Sequence, residues 1–140
     1  IERSLDGIKP GGRLAIVLPQ GVLNNTNMEY IRNWLFDKAR ILAVVGLHGN
    51  TFKPHTGTKT SVLFLQKWTE DEEQLKDYPI FMAVSKKGGK DNSGEYIYKK
   101  DSNGNYVHDN KGRKVLDHDL DQIAEGFIKF AKEQDFSFWR

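Results

Sequence analysis

The sequence predicts an incomplete α/β domain, a parallel sheet that ends in an antiparallel hairpin. Two observations carry this. Three short apolar runs, LAIVL (14–18), ILAVVGL (41–47) and TSVLFLQK (60–67), have the length and β-rich composition of buried strands. A helical pattern lies between the first two, whereas only a loop lies between the last two. A helical crossover makes the first pair parallel, and a connection with no helix makes the second pair antiparallel neighbours. Three strands and one helix cannot close a doubly wound sheet, so half of a fold is expected.

Each element has a local reason. Leu5 and Ile8 form the apolar face of a short leading helix, which Lys9-Pro10-Gly11-Gly12 stops: proline cannot extend it and the paired glycines permit positive φ. Leu14 to Leu18 is apolar without interruption, as a strand covered on both faces must be. Pro19-Gln20-Gly21 ends it. Asn24, Asn25 and Thr26 are capping residues for a helix over about residues 28–39, whose stripe is Met28, Ile31, Trp34, Leu35 and Ala39. His48 to Lys59, with two glycines and a proline, is irregular.

Beyond Trp68 the composition turns polar. Thr69 to Asp77 reads as an exposed acidic loop or short helix, and Tyr78 to Val84 as a further strand. Ser85 to Glu95 is glycine-rich and expected to be mobile. Tyr96 to Val115 reads as a hairpin turning at Asp101-Ser102-Asn103-Gly104. Asp119-Leu120-Asp121-Gln122 is a capping box opening a last helix with Leu120, Ile123, Ala124, Phe127, Phe130 and Ala131 on its apolar face. No internal repeat stands out. The expected division is residues 1–68 and an extension, 69–140.

Composition narrows the function classes. The 140 residues are 38% hydrophobic, with a formal charge of +2 and a pI near 8.7. That is globular and mildly basic, compatible with nucleic acid and not diagnostic of it. The absence of cysteine excludes a disulfide framework and fits a cytoplasmic protein. No apolar run approaches the roughly 20 residues of a membrane span. The first residue is Ile1, within a helix, which suggests an excised fragment.

Several segments imitate known sites. Lys86-Lys87-Gly88-Gly89-Lys90 resembles a phosphate loop, but Asp91 follows where a Ser or Thr and a helix are needed. Asp117, Asp119 and Asp121 alternate like calcium ligands, yet Gln122 stands at the glycine position and Ile128 at the bidentate acid. His48, His55, His108 and His118 lack metal-site spacing. No GxGxxG loop, carboxylate pair or triad can be assembled, so the residues supply no catalytic, cofactor-binding or metal set.

Geometry singles out one edge. Ligands of open α/β sheets bind outside the carboxyl ends of the parallel strands. The segments 19–25 and 48–59 both leave strands there. Phe52, flanked by Lys53 and Lys59, pairs a ring with positive charge, as base stacking and phosphate contact require. Equally, Phe52 plugs the sheet edge while the lysines are solvated.

These residues carry a resemblance. LxxIKPGGRLAIVLPQGVL, then IRxWL, then GLHGNTFKPHTGTKTSVLFLQK, resembles the family of DNA methyltransferases acting on adenine N6, most closely the modification subunit of type I restriction systems. The likeness is good over 5–68 and weaker beyond, where Tyr78-Pro79-Ile80-Phe81 and Asp117-His118-Asp119-Leu120 continue it. It implies a partial Rossmann-like, S-adenosylmethionine-dependent methyltransferase fold, with Leu14 to Leu18 as the fifth strand and Ile41 to Lys67 as the terminal hairpin, followed by a further hairpin and a helix. The family's glycine-rich cofactor motif and its Asn-Pro-Pro-aromatic motif do not occur in this sequence. The resemblance therefore implies S-adenosylmethionine for the intact protein, none for this segment, and no activity of the segment alone.

The implied reaction is methylation of an adenine flipped out of duplex DNA, with specificity and restriction subunits as further partners and no membrane. Pro19, Gln20 and Gly21 would border the base pocket, Phe64 on the hairpin strand would pack on the base, beside the Phe52 candidate named above, and Lys53 and Lys59 would meet phosphate. Leu65 departs from the family, which often has a second Phe there. Two other readings remain: a non-catalytic DNA-binding or assembly module that retains the fold, and a small-molecule methyltransferase fragment, against which the specific hairpin sequence speaks.

Overall fold

A computed structural model describes every residue except Glu72, Ser137, Trp139 and Arg140. The chain packs as two units, residues 1–46 with 60–83, and residues 47–59 with 84–140.

The first unit opens with helix α1 (Glu2–Asp6), closed by the KPGG turn. A Cβ on Gly12 would stand 2.4 Å from Ile8 Cγ2 and 2.8 Å from the Lys9 carbonyl, so only glycine fits there. The turn hands the chain directly to the sheet, because Gly11 N donates to Lys67 O and Lys67 N to Gly12 O, each at 2.9 Å. The Lys67 ammonium donates to the Leu5 and Ile8 carbonyls at 2.9 Å, satisfying acceptors at the helix end.

Strand β1 (Arg13–Pro19) is followed by α2 (Gln20–Asn24), a 3₁₀ turn (Thr26–Met28) and α3 (Glu29–Lys38). The expected loop after Pro19 is thus one helical turn, held by Arg32, whose Nη1 donates to the Val22 and Asn25 carbonyls. Strands β2 (Ala39–Gly46), β3 (Thr60–Lys67) and β4 (Phe81–Val84) complete the sheet in the order β1-β3-β2-β4. β3 is antiparallel to both β1 and β2. The crossover therefore does leave β1 and β2 pointing the same way, but as next-nearest neighbours, with the antiparallel strand inserted between them. Spanning two strand spacings, about 10 Å, is easy for a crossover of this length. It also puts β3 inside the sheet, where Leu63 and Leu65 are fully buried.

The main core cluster lies on one side of the sheet, although Ala43 and Val45, on the other face of β2, are buried too. Leu18, Ile41, Leu63 and Leu65 meet Leu5 of α1 and Leu35 of α3. The expectation that β1 is covered on both faces does not hold: Ala15 and Val17 face away from the helices and are exposed, Val17 by 48%. At the other end of the sheet, β2 slips register between Ile41 and Ala43, and Tyr78 mends the break by accepting a 3.0 Å hydrogen bond from Ile41 N. The phenol packs edge-on to Phe36 and Trp68, and its burial pushes its pKa up.

In the second unit the sequence expectation is corrected. Residues 88–118 contain not one hairpin but a repeated tight turn, Asp-x-x-Gly, at Asp91–Gly94, Asp101–Gly104 and Asp109–Gly112. Each aspartate Oδ1 accepts backbone N–H bonds from two and four residues on, and each glycine has positive φ, +95°, +83° and +75°. The bridges Lys90↔Tyr96, Lys100↔Tyr106 and His108↔Lys114 close the turns. Three strand segments then join head to tail: Lys99 N donates to Val115 O, Val115 N to Val107 O, and Val107 N to Lys99 O. This small closed ring follows an eight-residue repeat, YKKDSNGN, YVHDNKGR and the divergent KVLDHDLD. Ser85 to Glu95, expected to be mobile, carries the first such turn and follows a hydrogen-bonded path.

Helix α4 (Leu120–Glu133) begins where expected, but the capping box does not form. The Asp119 carboxylate instead accepts from Ser85 Oγ at 2.6 Å, Lys86 N at 2.7 Å and Lys87 N at 3.3 Å, satisfying a turn distant in sequence instead of its own helix.

Candidate functional site

The carboxyl ends of β1 and β2 meet the start of β3 at one edge: Pro19 pairs with Thr60 and Gly46 with Ser61. The strands thus deliver Pro19, Gln20 and Gly21 to the edge predicted for ligands. Pro19 and Gly21 are exposed, and nothing lies within 4 Å of a Cβ built on Gly21, so there is open space over this turn.

Phe64 is placed elsewhere. It lies four residues into β3, opposite Ala15 and Ala43, about 13 Å along the strand from Thr60. Its register sets it on the sheet face of Ala15 and Val17, away from α1 and α3. Phe64 and the Pro19–Gly21 turn are therefore not brought together at the sheet edge.

The remaining candidates belong to the second unit. The 48–59 loop is a series of turns, with Thr51 N donating to His48 O, Lys53 N to Asn50 O and Thr56 N to Phe52 O. Asn50 Nδ2 donates to Lys90 O and Asn92 Oδ1, which braces the loop against the first Asp-x-x-Gly turn. Phe52 is 37% exposed. The Lys53 ammonium is engaged, donating to Asn92 O at 2.8 Å, while Lys59 is exposed. Phe52 and Lys53 thus share one ordered loop with Lys59, and Lys59 is the more accessible cation.

Sequence reading missed one cluster, Tyr96, Tyr98 and Tyr106 with Lys90, Lys100 and Lys114. Its signal was present in the three-residue spacing from aspartate to glycine at Asp101–Gly104, repeated eight residues on at Asp109–Gly112. Among the described residues no group of three His, Cys, Asp or Glu side chains could hold a metal ion, and no helix is long and apolar enough to cross a membrane.

Comparison with known proteins gives the family. The type I restriction enzyme EcoEI methylase subunit of Escherichia coli is 35% identical over 63 residues, 44% of this chain and 13% of that protein. The defense against restriction protein B of Escherichia phage P1 is 35% identical over 66 residues, 46% of this chain and 3% of that protein. The chain thus spans a small part of either relative's length. A solved chain from Listeria monocytogenes, provisionally described as a class I S-adenosylmethionine-dependent methyltransferase, overlays with a TM-score of 0.49 at 22% identity, covering 59% of this chain and 24% of that one. That overlay does not constrain the fold further. The decisive match is to the family N-6 DNA Methylase, whose sequence model covers residues 1–139. This chain belongs to the N-6 DNA methylase family.

Proposed function

We propose that this chain is one part of a methyltransferase that moves a methyl group from S-adenosylmethionine to adenine N6 in duplex DNA, within a type I restriction-modification system. The family match over residues 1–139 is the observation that carries this. Similarity to a type I methylase subunit supports the system and, with it, specificity and restriction subunits as partners. Action on DNA fits a cytoplasmic location.

The residues present do not fit the cofactor. Pro19, Gln20, Gly21, Gly46, Thr60 and Ser61 at the sheet edge include no carboxylate for ribose hydroxyls and no glycine-rich phosphate turn. On these residues the 140-residue chain neither holds S-adenosylmethionine nor is active alone. Its contribution is to the DNA. A target adenine must leave the stack before its exocyclic amine can be reached. Pro19, Gln20 and Gly21 line one side of the space it enters, and Phe64 supplies a ring on the sheet face. In the other unit Phe52 offers a ring, while Lys59, aided by Lys53, meets backbone phosphate.

The test is transfer of labelled methyl from S-adenosylmethionine to duplex DNA by the intact protein. N6-methyladenine is the expected product; label at another base overturns the reading. Binding of duplex DNA with no transfer would favour the alternative, a non-catalytic module that retains the fold. Calorimetry of the 140-residue chain with S-adenosylmethionine should give no binding heat, and micromolar affinity would refute its dependence on the rest of the protein.

A further inference from the structure

Between residues 86 and 114 the chain carries eight Lys or Arg and four Asp or Glu, against a net charge of +2 for the whole chain. Three of those four acids, Asp91, Asp101 and Asp109, have an oxygen turned inward onto backbone N–H groups of their own turns. Arg113 is spent on Asp109 at 2.9 Å, and Lys90 donates to Lys53 O. Lys100 and Lys114 form no ion pair among the described residues and are exposed.

The closed ring presents these lysines in a fixed way. Its eight-residue repeat puts Tyr98, Tyr106 and Lys114 in equivalent positions. Tyr98 and Tyr106 meet edge to face, with centroids 6.1 Å apart. The Lys114 ammonium stands 4.1 Å from the Tyr106 centroid and 5.5 Å from that of Tyr98, and Lys100 stands 5.3 Å from Tyr106. All fall within the range of cation–π attraction. The rings thus hold two ammonium groups no farther apart than the sum of their distances to one ring, on a surface where the acids are engaged elsewhere.

We propose that this tyrosine-supported pair, Lys100 and Lys114, is a grip for the sugar-phosphate backbone of duplex DNA, separate from the Pro19–Gly21 turn and from Lys59. A backbone grip fits better than base stacking, because each ring already holds an ammonium against its face; Tyr96 holds that of Lys90, at 5.4 Å. The grip carries no sequence information, since phosphate contacts position a protein and base contacts specify. The choice of duplex DNA over other polyanions rests on the methyltransferase reading above; the geometry requires only paired anions.

The experiment is titration of the full 140-residue chain against a labelled 20-base-pair duplex of arbitrary sequence, across a salt series. Each phosphate contact contributes about 0.9 to the slope of log affinity against log salt. The double variant Lys100→Gln/Lys114→Gln, which keeps the side-chain length, should bind at least tenfold more weakly at low salt and lose a slope of about 2. Lys100→Arg/Lys114→Arg should bind like wild type, which guards against misfolding as the cause. Lys129→Gln, elsewhere in the same unit, should change affinity less than twofold. Unchanged binding by the Gln pair, or an equal loss in Lys129→Gln, overturns the site. Tighter binding to the corresponding single strand, lost in Tyr96→Ala, overturns backbone contact in favour of stacking. Equal affinity for heparin overturns the choice of DNA. Methyl transfer is a different readout, so either reading can fail alone.

Discussion

Gly94→Ala and Gly104→Ala are the same chemical change at equivalent turn positions, and the structure assigns them different costs. Both glycines have positive φ, +95° and +83°, where an L-residue costs about 1–2 kcal/mol. Nothing lies within 4 Å of a Cβ at Gly104, so Gly104→Ala should cost that amount and no more. At Gly94 the new atom would stand 2.6 Å from Pro54 N and 2.8 Å from both Lys53 C and Pro54 Cδ. Two of those atoms are backbone and cannot rotate away, so the loop itself must shift. Overpacking of this kind adds about 1–3 kcal/mol, for a total near 2–5 kcal/mol. The shift should also break the brace from Lys53 Nζ to Asn92 O and from Asn50 Nδ2 to Lys90 O. Urea unfolding gives the two costs, and amide exchange at Thr51, Lys53 and Thr56, all donors within the loop, reports the local damage. Equal costs for the two variants, with unchanged exchange in the loop, would refute the packing of residues 47–59 against the first turn.

Other expectations follow from the same geometry. Leu63→Ala, at a fully buried site in the core, should cost about 2–5 kcal/mol, while Val17→Ala on the exposed face should cost under about 1 kcal/mol; similar losses would mean the buried face is misassigned. Tyr78→Phe removes the acceptor of Ile41 N at the bulge and should cost about 1–3 kcal/mol, with faster exchange at Ile41 than at Leu63 as the specific signature. Burial pushes the Asp119 carboxyl up, but the hydrogen bonds from Ser85, Lys86 and Lys87 outweigh it and hold the group below the usual carboxylate range. Its stabilisation is then complete above the unfolded pKa of about 3.9 and is lost as pH falls below that through the lower folded value. Asp119→Asn should flatten the acid limb of urea midpoints measured from pH 5 to pH 2, and an unaltered limb would refute the assignment.

How far the sequence reached can be judged from particular residues. Thr60 to Lys67 was legible as a strand to the residue, because its apolar run is bounded by polar turns. The short leading helix was legible through Leu5 and Ile8, and the KPGG turn that stops it through its proline and glycines. The Asp119 capping box was a fair local inference defeated by a distant competitor, Ser85 and its neighbours, which no window around residue 119 contains. The Asp-x-x-Gly turns were visible as spacing, yet each looked like an ordinary polar loop when read singly. The edge position of Pro19 to Gly21 followed from topology, whereas the position of Phe64 depended on register.

The sequence by itself determined the α/β pattern, the strand directions and the family, because apolar runs, turn residues and a long motif are local properties of the chain. Only the tertiary structure decided that β3 lies between β1 and β2, that one face of β1 is exposed, and that the strand segments at Lys99, Val107 and Val115 close on one another. Those outcomes depend on which backbone groups and side chains meet across tens of residues. Each such meeting is a competition among partners that local patterning leaves nearly equal, and packing in three dimensions resolves it.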